Sequence, residues 1–484
     1  MTQIGWLPWT ADAFARAAAE RKPVLLSIVT TWSRGCQEMD RTSFADPVVA
    51  DLVAERFVAV RVDADRRPDI SSRYTLGGWP TTAFLTPAGQ ILGGGTFVPV
   101  DRLSAALKRV IESFGLQIDD TGSAGTAGAE TASGRALPVD DLERLVFDTY
   151  DGESGAFDGL PRFPHTAPVH LALLHVRHDP SSCHADVATT CLDSMGWGGL
   201  FDEIDGGFFR YCNAADWTRP QTEKLLDVNA ALLMLYLDGF ETLRLARYAE
   251  RAEAVLGYVQ QTLADSQEGG WAASQQEEPD FYAIIDPEVR AARSAPAVDR
   301  TLLSAPNAAM VSSALRAARV FEDDGLRAFA LRSLERIVLE HYRPGGGVAH
   351  CIERDVHVRG LLDDQLAMAT AHLDAFEATD DVVHQMMAEE LARQLILAFH
   401  DERDGGFFDR ARSTSDIGLL KHRLKPFVAN CEAARLLRRL AVVCNDPAFS
   451  ELADEALRTI AGQASSQGPL AAHYVLAMRD VSLR

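Results

Sequence analysis

The chain has 484 residues, more than one hydrophobic core sustains, and 47% of them are hydrophobic, so two or more globular domains are expected. Its formal net charge of −22 argues against nucleic acid or an anionic membrane surface as a partner. Seven scattered cysteines make neither a Cys-X-X-Cys pair nor a disulfide framework, and Cys183, His184 and Cys191 lack the second close pair of a structural zinc site; neither metal nor cofactor is expected. No apolar stretch approaches membrane-spanning length and no basic start precedes an apolar run, which points to the cytoplasm.

Ala11 to Arg21 reads as an amphipathic helix and Val24 to Thr30 as a buried, β-branched strand. Trp32-Ser33-Arg34-Gly35-Cys36 follows at once. In a thioredoxin motif, Trp-Cys-X-X-Cys, the first sulfur sits at a helix N-terminus that favours thiolate, and the second resolves the mixed disulfide one turn on. Ser33 takes the attacking place here, and its hydroxyl is far too weak an acid for thiolate chemistry. Cys36, at the resolving position, is the candidate thiol that remains. Phe57 to Asp65 is a second strand, and Gly77-Gly78-Trp79-Pro80 leads into a third at Thr81 to Thr86. The turn Pro87-Ala88-Gly89 joins it to Ile91 to Phe97, and Arg102 to Phe114 reads as a closing helix. The pattern is that of an α/β thioredoxin-like domain, and similarity to such proteins implies a cis-proline at Pro80.

Thr121 to Ala136 holds only Gly, Ala, Ser and Thr apart from Glu130 and Arg135. Such a stretch buries too little surface to offset its ordering entropy. The expected division is a thioredoxin-like domain over 1–116, a flexible linker over 117–136 and a second domain over 137–484.

That second domain carries an internal repeat. Phe201 to Phe209 reads FDEIDGGFF and Phe399 to Phe408 reads FHDERDGGFF, with weaker copies at Asp151 to Phe157, Asp265 to Trp271 and Tyr342 to Val348. Helical patterns fill the intervals: Ala230 to Gln261, Ala308 to Tyr342, Leu362 to Phe399 and Cys431 to Asn445 place apolar residues at three- and four-residue spacing. Each glycine pair then reads as a helix stop, a turn at positive φ and a short extended return. An interval of that size holds one helical hairpin, and the domain holds about six. Hairpins that cannot bury their apolar faces alone must stack or close on one another. Closure into an all-α, six-hairpin α/α toroid is expected over a superhelical solenoid of the tetratricopeptide kind, whose repeats are about 34 residues and lack Gly-Gly-aromatic turns.

Many short matches, in order, make the chain similar to the spermatogenesis-associated, thioredoxin-domain-containing family. In the first domain they are Cys36 through Phe44, Val62-Asp63 with Arg67-Pro68-Asp69-Ile70, Gly77-Gly78-Trp79-Pro80, and Thr96-Phe97-Val98-Pro99. In the second they are Leu160-Pro161-Arg162-Phe163-Pro164, Gly206-Gly207-Phe208 with Arg210-Tyr211 and Trp217, and Glu223-Lys224-Leu225-Leu226 with Asn229-Ala230. The resemblance implies a thioredoxin-like domain joined to a six-hairpin glycosidase-like toroid, in a shortened copy. It also marks departures. The family's Cys-His-Trp-Cys-His positions hold Ser33 to Gln37; family histidines are replaced by Phe209 and Gln221; and Val228 replaces an acid, although Asp227 stands one place earlier.

Sugar-active enzymes on this scaffold work at the mouth of the inner helical ring. Glycoside hydrolysis needs two carboxylates, about 5–5.5 Å apart for retention or about 6.5–9.5 Å for inversion. The candidates are Asp202, Asp205, Asp216, Glu223, Asp227, Asp363 and Asp364. A helix starting near Thr222 is expected to carry Glu223, Lys224 and Asp227, with Glu223 as the catalytic acid candidate. Arg210, Tyr211, Trp217, Lys224, Asp227 and Asn229 are the candidate substrate-binding residues, aromatic faces and hydrogen-bonding groups suited to a sugar. His165, His350, His372 and His422 stand alone, without ligand spacing. The leading expectation is a sugar-active or sugar-binding toroid beside a degenerate redox motif, with a carbohydrate or other small molecule as ligand. The alternatives are a non-catalytic interaction protein that takes a protein partner on the toroid's concave face, and a single-thiol redox protein acting through Cys36.

Overall fold

The computed structural model describes residues 3–117, 135–353 and 356–479, so most of the expected linker lies outside the described residues. The chain divides into two compact units, 1–130 with 412–423, and 131–411 with 424–484.

In the first unit α1 (Ala11–Ala19), β1 (Val24–Val29), α2 (Arg34–Arg41), α3 (Pro47–Arg56), β2 (Val58–Asp63), α4 (Pro68–Tyr74), β3 (Thr81–Leu85), β4 (Ile91–Gly95) and α5 (Val100–Gln117) follow in order. The sheet runs β2-β1-β3-β4, with β1 parallel to β2 and antiparallel to β3. Alternation along β1 buries both faces: Val24, Leu26 and Ile28 join one core with Val60 and Ile70, while Leu25 joins the other with Ala59, Phe84 and Leu103. The Trp79–Pro80 peptide is cis, as the thioredoxin-like resemblance implied.

The segment 412–423 belongs to this unit, although the sequence division placed it in the second. Leu420 is buried in the core with Tyr74 and Trp9. Tyr74 donates its hydroxyl to the Gly89 carbonyl (2.7 Å) and accepts from the Leu419 N–H (2.8 Å). A Cβ at Gly89 would come within 2.7 Å of the Gly418 Cα, so this backbone approach requires glycine. Nothing in the local pattern of 412–423 announces such a partner, because the contact spans more than 300 residues.

The second unit is a ring of helices. In chain order they are α6 (Val139–Phe147), α7 (Thr166–His178), α8 (His184–Trp197), α9 (Leu226–Leu243), α10 (Ala246–Tyr258), the short α11 (Pro279–Tyr282) and α12 (Pro287–Ala291), α13 (Ser304–Val320), α14 (Asp324–His341), α15 (Leu362–Thr379), α16 (Val382–Phe399), α17 (Phe427–Val443), α18 (Pro447–Ile460) and α19 (Ala471–Arg479). The inner helices touch in the order α7, α9, α13, α15, α17, α19, and α19 returns to α7. Outside them α8, α10, α14, α16 and α18 each pack on the preceding inner helix, and α6 packs on α19. The sixth hairpin is therefore built from the two ends of the unit. Aspartate caps start the outer helices α14, α16 and α18 (Asp323, Asp381, Asp446), and left-handed Arg244 and Asp380 end α9 and α15.

The glycine pairs do what their spacing predicts. Gly206-Gly207, Gly269-Gly270 and Gly405-Gly406 all lie at positive φ, and isolated bridges such as Phe201 to Phe208 and His400 to Phe407 form the extended return.

Four of the five returns are clamped by one buried carboxamide on the next inner helix. Asn229 accepts from the Phe208 N–H (2.7 Å) and donates to the carbonyls of Phe208 (3.0 Å) and Leu225 (2.8 Å). Asn307 does the same for Trp271 and Leu303, Gln365 for Val348 and Leu361, and Asn430 for Phe407 and Pro426. The carboxamide pairs the N–H and carbonyl of the buried return residue, groups that would cost free energy if left unpaired.

Candidate functional site

Ser33 and Cys36 lie at the start of α2. Ser33 is the N-cap and accepts from the Cys36 N–H (3.4 Å), while Cys36 Sγ accepts from the Thr30 N–H (3.5 Å). Cys36 is buried, and burial pushes its thiol above the ordinary value despite those hydrogen bonds. This environment holds a protonated thiol.

In the toroid the expected substrate-binding residues separate into two groups. Trp217, Lys224 and Asn229 are buried and fully engaged within the wall. Trp217 donates its indole N–H to the Ser154 carbonyl (2.8 Å), and Asn229 spends its whole carboxamide on the Phe208 turn. Lys224 is not on a helix, as the sequence reading expected. Lys224–Leu225 pairs as a strand with Ser274–Gln275, because α9 begins only at Leu226. Its ammonium donates to Asp202 Oδ2 (2.7 Å) and the Gly206 carbonyl (2.6 Å), within 4.5–5.2 Å of the ring centroids of Tyr258, Tyr282 and Phe209. Burial lowers its pKa to about 8, against the pull of Asp202. Arg290 closes the other side of Asp202 (2.7 Å) and reaches Asp205 (3.1 Å). Asp202 and Asp205 are thus committed to ion pairs, and Asp216 to a local turn through the Thr218 hydroxyl (2.6 Å).

Arg210, Tyr211, Glu223 and Asp227 form the second group. Arg210 takes the Glu223 carboxylate at 3.2 Å and lies over the Tyr211 ring, which packs against Phe163 with ring centroids 4.7 Å apart and the planes tilted by 33°. Glu223 is 1% exposed, and its Oε2 has no hydrogen-bond partner. Burial raises its pKa, although Arg210 opposes. Asp227, at the second position of α9, is exposed, yet the protein around it raises its carboxyl too, chiefly by desolvation. An accessible carboxyl desolvated by surrounding protein is the mark of a concave surface.

Asp363 repeats this arrangement at the second position of α15. It is exposed, and desolvation followed by the charges of Asp364 and Asp409 raises its pKa to about 6. Beside it the buried Asp364 holds His350 Nδ1 at 2.9 Å and accepts from the Ala305 N–H (3.1 Å). His350 looked solitary in the sequence; its partner lies 14 residues away, at the start of the next helix. The inner helices also carry alternating charge toward their C-termini. Asp238 and Glu241 on α9 meet Arg316 and Arg319 on α13, and Asp374 and Glu377 on α15 meet Arg439 on α17.

With this geometry in view, the relatives can be placed. Residues 1–121 match the family model Thioredox_DsbH, described as "Protein of unknown function, DUF255". The match covers the N-terminal domain alone. The chain is also similar to spermatogenesis-associated protein 20 of Mus musculus, 30% identical over 310 residues that cover 57% of this chain and 39% of the mouse protein, and equally to the Homo sapiens protein. It therefore spans well under two thirds of those relatives' length. Among solved structures, cellobiose 2-epimerase from Bacillus thermoamylovorans superposes with TM-score 0.55 at 10% identity, covering 70% of this chain and 99% of the epimerase. A family 76 α-mannanase from Bacteroides thetaiotaomicron gives 0.54 at 10% identity, covering 72% and 96%. At such identity the likeness is one of fold: a DUF255 thioredoxin-like domain followed by a six-hairpin α/α toroid of the epimerase and mannanase kind. Among the described residues no helix is long and apolar enough to cross a membrane.

Proposed function

We propose that the toroid binds a carbohydrate where its inner helices begin, and that Asp227 and Asp363 carry out proton transfer on it. The observation that carries this reading is the matched placement of these two acids. Both stand second in an inner helix, both are accessible, and both have carboxyls raised by the protein around them. A carboxyl near 6 exchanges a proton readily at neutral pH, as sugar isomerisation, epimerisation and glycoside cleavage all require. Tyr211 supplies an aromatic face for a pyranose ring, and Arg210 a hydrogen-bonding group beside it. His350 acts through Asp364, as a positioning residue that fixes the acid next to Asp363. The solved relatives whose names mention cellobiose, mannose and mannan support a sugar as ligand class.

The test is a panel of aldoses, ketoses and disaccharides incubated with the full chain in D2O and followed by NMR and thermal shift. The expected result is stabilisation by at least one sugar, with deuterium entry beside the carbonyl or glycosidic cleavage. Asp363→Asn is expected to abolish turnover and retain the thermal shift. A panel that gives neither stabilisation nor turnover overturns the proposal.

A further inference from the structure

Three side chains away from that site converge where the ring closes. Glu143 on α6, His175 in the last turn of α7 and His184 at the start of α8 place their ligand atoms within 4.8 Å of one another. Two of the three are held from behind by a separate group. Arg479 donates to Glu143 Oε2 at 2.7 Å through Nε, which turns Oε1 toward the histidines. Ser182 Oγ lies 2.9 Å from His184 Nδ1, which leaves Nε2 as the outward nitrogen. His175 Nε2 stands 2.5 Å from Glu143 Oε1 but is not aligned for a hydrogen bond, and this buried nitrogen has no hydrogen-bond partner. A carboxylate oxygen and an unsatisfied imidazole nitrogen therefore face each other beside a second imidazole.

We propose that Glu143 Oε1, His175 Nε2 and His184 Nε2 bind one divalent transition ion of the zinc class. Two imidazoles and a carboxylate are the donors such ions prefer, and three protein ligands leave one position for water. Ligating histidines and carboxylates characteristically have their other polar atom held, as Ser182 and Arg479 do here. The two rings now lie 4.4 Å apart and 17° from parallel. Binding tilts them so that both lone pairs meet at one point, and the two histidines are only half-buried, which gives the ion a way in. The ion would tie α6 to the hairpin of α7 and α8, next to the contact of α6 with α19 that completes the ring. No spacing motif announces this site, because its ligands come from three helices, and it departs from the sequence expectation of no metal.

The full chain, stripped with a chelator and dialysed, is titrated with Zn²⁺ by calorimetry and with Co²⁺ by visible absorption. Expected are one equivalent of Zn²⁺, ligand-field bands of a low-coordinate Co²⁺ site, and a melting temperature raised by several degrees at saturation. His175→Ala and His184→Ala are expected to lose binding and the thermal shift, while His178→Ala keeps both. Glu143→Gln preserves the shape of the cluster and is expected to weaken binding at least tenfold, which provides a reading if a histidine variant fails to fold. Absence of saturable uptake by the wild-type chain overturns the proposal, as does uptake undiminished in folded His184→Ala or Glu143→Gln protein.

Discussion

Lys224 Nζ and Asp202 Oδ2 meet at 2.7 Å with side chains 0% and 3% exposed, so the pair is withdrawn from water altogether. Asp202 also carries Arg290, and one carboxylate thus balances two buried cations. Neutralising it leaves Lys224 with the Gly206 carbonyl and Arg290 with Asp205, at 3.1 Å, in place of the charge they share. Asp202→Asn is expected to cost about 3–5 kcal/mol in urea unfolding, the usual consequence of breaking a buried pair from one side. Lys224→Met should cost distinctly less, since Asp202 keeps Arg290 and a hydrophobic group of similar length fills the aromatic cage. Equal losses in the two variants would contradict this account.

The carboxamide clamps give a second expectation. Asn307→Ala removes the side chain that pairs the Trp271 N–H and carbonyl in a fully buried setting, while the Leu303 carbonyl keeps the Asn307 N–H (3.2 Å). The loss should be about 3 kcal/mol by calorimetry, given that each stranded buried group costs about 1–3 kcal/mol. Asn307→Asp, which keeps the acceptor and loses both donors, should not restore stability.

Asp363 predicts a pH dependence with an unusual sign. Its ordinary pKa of 3.8 rises to about 6 in the folded chain. Between these values the folded state holds more protons than the unfolded state, so its contribution to stability falls as pH rises through that window. Asp363→Asn should therefore raise the melting temperature relative to wild type above pH 6, and the gain should vanish below pH 4. A gain that grows on acidification would contradict the assignment.

Thiol reactivity tests the first domain. Cys183 is exposed, whereas Cys36, Cys191, Cys212, Cys351 and Cys431 are buried. A disulfide reagent should titrate Cys183 first in the native chain, and Cys183→Ser should remove the fast phase. Insulin reduction should be at background, because Ser33 occupies the attacking position and the Cys36 thiol is raised. Turnover lost on Cys36→Ser would reverse that conclusion.

What could be read from the sequence was whatever is written locally. The Trp32 to Cys36 motif, the strand runs and the Gly-Gly-aromatic turns depend on neighbouring residues, and they identified both folds. The candidate site was legible as a neighbourhood only. Arg210, Tyr211, Glu223 and Asp227 do come together, but Lys224 and Asn229, adjacent in sequence to the same acids, serve the wall. The signal for Asn229 was present in the repeat itself. A carboxamide recurs after three further turns, at Asn307, Gln365 and Asn430, and the four copies stand 21, 36, 17 and 23 residues from the residue they clamp. That irregular spacing hid it. His350 with Asp364, the Glu143 cluster and the 412–423 segment are tertiary in origin, and no periodicity encodes them.

Arg479 reaches back across 336 residues to Glu143 and across 339 to Asp140, joining the two ends of the toroid. An open stack of hairpins can lose its outermost pair and keep the remainder, since each unit leans only on its neighbours. A closed circuit has no outermost pair. While the ribosome is still translating, α6 and α7 each lack the α19 flank, and Leu142 and Val146 of α6 wait for a helix that is made last. The nascent toroid is thus an unfinished arc with sticky ends until Ala471 to Arg479 emerges, a stage at which chaperone capture competes with aggregation. Once shut, every one of its six hairpins has a neighbour on both sides.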